Sequence, residues 1–175
     1  ATTTGYMLFK RFNRSISKTS PGVASQNRPS IIFRLADFYL IYAEVANEVN
    51  PSDSRVLTYL NLVRERAGLP KVEILNPGIV GNKELQRAAI QRERQIELAT
   101  EGQRYFDVRR WMIAGEGRQN GYAHGMNVRG TINDTEEFNR VVETEKIVFN
   151  RKMYLQPIPD HEMRKTQNLV QNPGW

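Results

Sequence analysis

Cysteine is absent from the 175 residues. Disulfides, thiolate metal sites and cysteine nucleophiles are thereby excluded, although the compartment is left open. Histidine occurs only as His124 and His161. A di-metal carboxylate bundle, which pairs Glu-x-x-His motifs, therefore has too few imidazoles. No apolar run approaches the roughly 18 residues a membrane span needs. No charged-then-apolar leader opens the chain. The opening "ATTTGYMLFK" does not begin with a methionine, which points to a portion cut from something longer. The net charge is +6, yet no run of five or more Lys/Arg accompanies it. The cations sit beside acids, as in "QRERQIE", so they read as a solvated mixed-charge surface and not as a nucleic-acid footprint. No Gly-x-Ser-x-Gly elbow supports a serine triad.

What is present is an ordinary globular composition, 39% hydrophobic and 25% charged. The pattern predicts a mainly α fold with long loops and a few short strands. "GYMLFKRF" reads as a strand and "NRSISKTSPGVASQN" as a polar loop. In "IIFRLADFYLIYAEVANEV", Leu35, Phe38, Tyr42, Val45 and Val49 recur at three- and four-residue spacings, the period of a buried helix face. Pro51 ends that helix, and Ser52 or Asp53 can cap the next, "SRVLTYLNLVRERAG". Gly68 stands where a left-handed C-cap belongs, with Pro70 after it. Residues 30–70 thus form a helical hairpin about the size of one tetratricopeptide-type repeat, with no second copy in the chain. One such unit cannot bury both its faces, so further helices must cover it. Asn82 can cap a third helix running from Lys83 to about Glu101, interrupted at Gly102 and resumed in "QRYFDVRRWMIAG"; residues 82–114 hold this pair. Residues 115–175 are loop-rich. In them "GEGRQNGYAHGMNVRG" and "TINDTEEFNRVVETEK" read as connections, "KIVFNRKMYLQPIP" as strand-like or extended, and "DHEMRK" as a short helix.

The third helix carries Glu93, Glu97 and Glu101, four residues apart, among arginines. Like charges at that spacing repel on a helix face. A metal centre lacks its histidines there. A general acid is disfavoured because neighbouring arginines lower carboxyl pKa values. An ion-paired lock between packed helices is favoured instead, with Arg94 reaching Glu97 or Glu101, Arg104 reaching Glu101, Asp107 and Arg110 repeating the pairing, and Trp111 anchoring it.

These same residues carry a resemblance. Glu93-Arg94, Glu97-Leu98, Glu101-Gly102, Arg104, Asp107 and Arg110-Trp111 are similar to the "ER-x-x-EL-x-x-EG-x-R-x-x-DL-x-RW" motif of the SusD/RagB family, with Val108 in place of its leucine. "RLADFYLIYAEVANEV" with "LTYLNLVRERAGLP" resembles the last repeat hairpin of that family. "YLQPIPDHEMRKTQNLVQNPGW" resembles its C-terminal ending. The resemblance covers residues from about 30 to 175 and implies that residues 1–175 are the C-terminal region of a larger SusD-like fold. It implies a non-enzymatic, cofactor-free binding subunit for glycans or other nutrients. It also implies an outer-membrane, cell-surface lipoprotein acting with a TonB-dependent SusC-like transporter. Its only membrane contact would be a lipid anchor outside this chain, and it would bind no nucleic acid. The alternative is a tetratricopeptide-type protein-interaction module without a small ligand.

Sugar sites combine aromatic faces with hydrogen-bonding side chains. Tyr122, His124 and Asn127, with Asn120 and Arg129 nearby, are the candidate ligand contacts. Tyr6, Phe9 and Phe12 read as packing residues.

Overall fold

The structure is a computed structural model, and it describes Leu8, Lys10 and residues 30–115, 121–126 and 140–175. The expected strand in "GYMLFKRF", with Tyr6, Phe9 and Phe12, lies outside the described residues apart from Leu8 and Lys10; the polar loop after it lies outside them too. The chain divides into two compact units at Asp107/Val108. The fold is mainly α, with one two-stranded sheet among the described residues.

In the unit Arg28–Asp107, α1 (Leu35–Val49) and α2 (Arg55–Arg66) form the expected hairpin. Between them, Asn50 Oδ1 accepts the Ser52 N–H at 3.1 Å, and Asp53 Oδ1 accepts the Arg55 N–H at 2.9 Å. These side chains satisfy turn donors that the helices leave free. The end of α2 is a Schellman turn. The Gly68 N–H donates to the Glu65 carbonyl and the Leu69 N–H to the Arg64 carbonyl, each at 2.9 Å, with Gly68 at φ 76°. A short helix, α3 (Val72–Leu75), and a 3₁₀ turn (Pro77–Ile79) lead to α4 (Lys83–Glu97). Asn82 caps α4 by accepting the Leu85 N–H at 3.1 Å.

α1 packs on α2 and α4 around Ala36, Leu40, Ala43, Val56, Leu60, Val63 and Ile90. Fully burying a leucine- or isoleucine-sized side chain stabilises by roughly 1.5–3 kcal/mol. Leu40, Leu60 and Ile90 are fully buried. Buried amides hold the connections. Asn47 donates to the Lys83 carbonyl, Gln86 to the Pro51 and Ile79 carbonyls, and Asn61 grips the start of α3 through the Val72 N–H and Glu73.

The inner face of α1 differs from the expected one. Leu35, Phe38, Tyr42, Val45 and Val49 are exposed, whereas Ala36, Leu40, Ala43 and Asn47 face inward. The helix is apolar on most of its circumference, so spacing alone identifies a period and not a face. The small side chains of Ala36 and Ala43 let neighbouring helices approach. Asp37 and Asn47, both buried, find their partners on that side.

α4 also ends earlier than expected. Its last residue is Glu97, and the chain then turns through Thr100 at φ 68° and Gly102 at φ 83° before α5 (Gln103–Arg110). Thr100 adopts the left-handed conformation two residues before the glycine that marks the break in the sequence.

In the other unit the described residues are Leu8, Lys10, 108–115, 121–126 and 140–175. β1 (Gly121–Met126) and β2 (Arg140–Ile147) pair antiparallel, with Gly121 opposite Ile147 and Met126 opposite Arg140, and with an irregularity between Tyr122 and His124. Both segments were expected as connections. The glycines of "GYAHGM" mask the first strand, while "RVVETEKI" has the β-branched content of a strand beneath its charges. The strand-like or extended stretch expected from Lys146 is strand only as far as Ile147, the end of β2, and then winds into a 3₁₀ turn at Arg151–Tyr154. A short helix, α6 (Asp160–Met163), follows Pro159. The C-terminal residues fold back on this segment. Gln171 both accepts the Ile158 N–H and donates to its carbonyl, at 2.8 and 2.9 Å, and the Trp175 indole N–H is shared by the Lys152 and Leu155 carbonyls, each at 3.0 Å. No helix among the described residues is long and apolar enough to cross a membrane.

Candidate functional site

The three stacked glutamates of the motif each receive an arginine from another element. Glu93, on the buried face of α4, accepts from Arg64 of α2 at 2.9 Å. Glu97 accepts from Arg66 of α2 at 2.6 Å and also from Arg34, which precedes α1. Glu101 takes Arg34 as a fork, Nε to one oxygen at 2.8 Å and a terminal nitrogen to the other at 2.9 Å. Arg34 reaches the Glu97 carbonyl as well, at 2.7 Å. The guanidinium of Arg34 is held above its ordinary range, chiefly by the hydrogen bond to Glu101, with burial opposing. Repulsion down the helix face is thus offset by cations from two other segments.

Arg94 is the centre of the node. It is 3% exposed and donates to Asp107 of α5 through two nitrogens, at 2.9 and 3.1 Å, and to Asp37 of α1 at 2.8 Å. This differs from the expected pairing with Glu97 or Glu101. Arg94 points across to α1 and α5, and the glutamates one turn on are taken by Arg34. Asp107 likewise serves Arg94, and Arg110 lies over the Trp111 ring at 4.9 Å. Arg104 is half-buried; burial pushes its guanidinium pKa down, with Asp107 opposing. Buried ion pairs contribute little net stability, because desolvation cancels much of the attraction, but removing one partner is costly. Their geometry specifies how α1, α2, α4 and α5 meet.

Arg34, Asp37, Arg64 and Arg66 completed the node without being singled out by the sequence pattern. Asp37 had a usable signal, since it is an acid inside an otherwise apolar helix. The candidate ligand contacts fall elsewhere. Tyr122 and His124 lie on β1, opposite Lys146 and Val142, and not on a loop. Asn127, Asn120 and Arg129 lie outside the described residues. Among the described residues, no group of three or more His, Asp or Glu is arranged to hold a metal ion.

A helical hairpin fastened to further helices by buried arginine–carboxylate pairs defines a tetratricopeptide-like class of protein. The chain belongs to the SusD family, whose model matches residues 1–175. It is 31% identical over 150 residues to SusD-like protein P2 of Formosa agariphila, covering 83% of this chain and 26% of that protein. It is 44% identical over 89 residues to SusD-like protein P25 of the same organism, covering 51% of this chain and 16% of that one. The solved structure of a SusD-like protein from Bacteroides fragilis is 33% identical and superposes with a TM-score of 0.67, over 83% of this chain and 26% of that one. The chain therefore spans about a quarter or less of the length of these relatives.

Proposed function

We propose that the protein is the binding subunit of an outer-membrane nutrient uptake system, that its ligand is a glycan, and that it carries out no chemistry on it. The single observation behind this reading is the SusD-family match over residues 1–175. In this reading the protein is lipid-anchored at the cell surface and hands its ligand to a TonB-dependent SusC-like transporter. The motif residues of α4 and α5 serve as scaffold, because their charged groups are spent on one another across the helices. Deleting the gene in its host tests the proposal. Growth on one or more polysaccharides should fail while growth on the constituent monosaccharides persists, and the tagged protein should copurify with a β-barrel. Unimpaired growth on every glycan, with no barrel recovered, would count against it.

The second reading, a protein-interaction module without a small ligand, is favoured by the exposed apolar face of α1, on which Phe38 meets Phe33 of the preceding segment edge to face at 5.8 Å. Under that reading the deletion leaves glycan growth intact.

A further inference from the structure

The C-terminal segment builds a groove of about 640 Å³, within the size range of ligand pockets. Met112, Arg151, Lys152, Tyr154, Leu155 and Gly174 line it. The Trp175 indole is hydrogen-bonded to the 3₁₀ turn at Arg151–Tyr154, and Lys152 Nζ sits 4.2 Å over the Trp175 ring. Gly174 has φ 87°, and a Cβ there would lie 3.0 Å from Lys152 Cβ, so glycine lets the closing turn lie flat against the lysine. Met112 takes φ 59°, a conformation that residues other than glycine seldom adopt and that tends to mark functional sites.

The charge in this groove is one-sided. Among the described residues none that lines it is acidic, and the Arg151 guanidinium has no hydrogen bond or ion pair with any of them. Among the described residues the Lys152 ammonium makes only its contact with the Trp175 ring. The Tyr154 hydroxyl accepts the Gly115 N–H at 3.4 Å, so its own proton is free to donate. Two cations, a hydroxyl donor and apolar walls from Met112 and Leu155 match a ring with apolar C–H faces and an anionic substituent. On charge complementarity, we infer that this groove binds an acidic oligosaccharide, the carboxylate or sulfate of one residue held by Arg151 and Lys152. The inference rests on the glycan-binding reading and narrows it to anionic chains.

The full-length protein and its Arg151→Ala, Arg151→Lys and Lys152→Ala variants are titrated calorimetrically with three probes: oligogalacturonate, a sulfated galactan oligosaccharide and a neutral oligosaccharide of equal length. The expected result is that one or both anionic probes bind, that raising salt from 20 to 200 mM weakens them, and that Arg151→Ala weakens them about ten-fold or more. Arg151→Lys should recover part of the loss. Whichever anionic probe responds identifies the carboxylate or the sulfate as the recognised group. Arg151 is exposed and unpaired, so its removal leaves the melting temperature unchanged and keeps the test readable even where Lys152→Ala misfolds. Anionic affinity within two-fold of wild type in Arg151→Ala, or an equal loss for the neutral probe, overturns the inference. Neutral binding alone overturns it while leaving the glycan-binding reading standing, and no binding by any probe removes both.

Discussion

Replacing Arg94 by alanine strips the counterion from two carboxylates at once. Asp37 is 7% exposed and Asp107 4% exposed, so neither can be rehydrated without opening the packing between α1, α4 and α5. Leaving a buried charge unpaired costs about 3–5 kcal/mol. At about 2–4 °C per kcal/mol for a chain of this size, the melting temperature should fall by about 6–20 °C. The control is Arg55→Ala, which removes an exposed pair with Asp53 and should leave the melting temperature nearly unchanged. A third variant gives the reasoning its sharper form. Replacing Asp37, Arg94 and Asp107 together with leucine, methionine and leucine removes all the charges, so it should be less destabilising than Arg94→Ala alone. Urea unfolding of each variant at pH 7 supplies the free energies. A loss below about 1 kcal/mol for Arg94→Ala would refute the view that this pairing is buried and essential to the helix arrangement.

Other outcomes follow from the same contacts. Leu40→Ala should cost about 2–5 kcal/mol in chemical unfolding, and Phe38→Ala, on the exposed face, much less; the reverse order would put the inner face of α1 on the other side. Gly68→Ala should cost about 1–2 kcal/mol because an alanine must then hold φ 76°, and thermal melts of Gly68→Ala against Gly68→Asn check it, the asparagine being better tolerated. The hydrogen bond from Arg87 lowers the Glu48 pKa from its ordinary 4.5 to about 2, with burial opposing and Lys83 assisting. Because the folded value is the lower one, this pair stabilises above about pH 4.5, and its contribution is lost as pH falls towards 2. Melting temperatures of the native protein and Glu48→Gln, measured from pH 7 to pH 2, should converge at the acid end.

The hairpin was legible because its punctuation is local: Pro51 stops α1, Asp53 engages the first turn of α2, and Gly68 closes α2. Its inner face was not, because α1 is apolar nearly all round and its orientation depends on Arg94, 57 positions after Asp37 in the chain. The motif helix shows the same division. The spacing of Glu93, Glu97 and Glu101 marks a charged face, but Arg34, the partner of two of them, precedes a different helix by one residue. Its 63- and 67-residue separations from Glu97 and Glu101 leave no periodic trace. The β1–β2 pair was hidden for a compositional reason, since a glycine-rich strand and a charged strand each look like a connection when read alone. Tyr122 and His124 were consequently placed on a loop when their backbone is paired.

The most direct test of the functional account is a titration of the full-length protein against a panel of oligosaccharides, with the sugars recovered and chromatographed afterwards. The account predicts saturable binding of at least one oligosaccharide and recovery of that sugar unchanged. Absence of binding across the panel, or cleavage of the bound sugar, would contradict it.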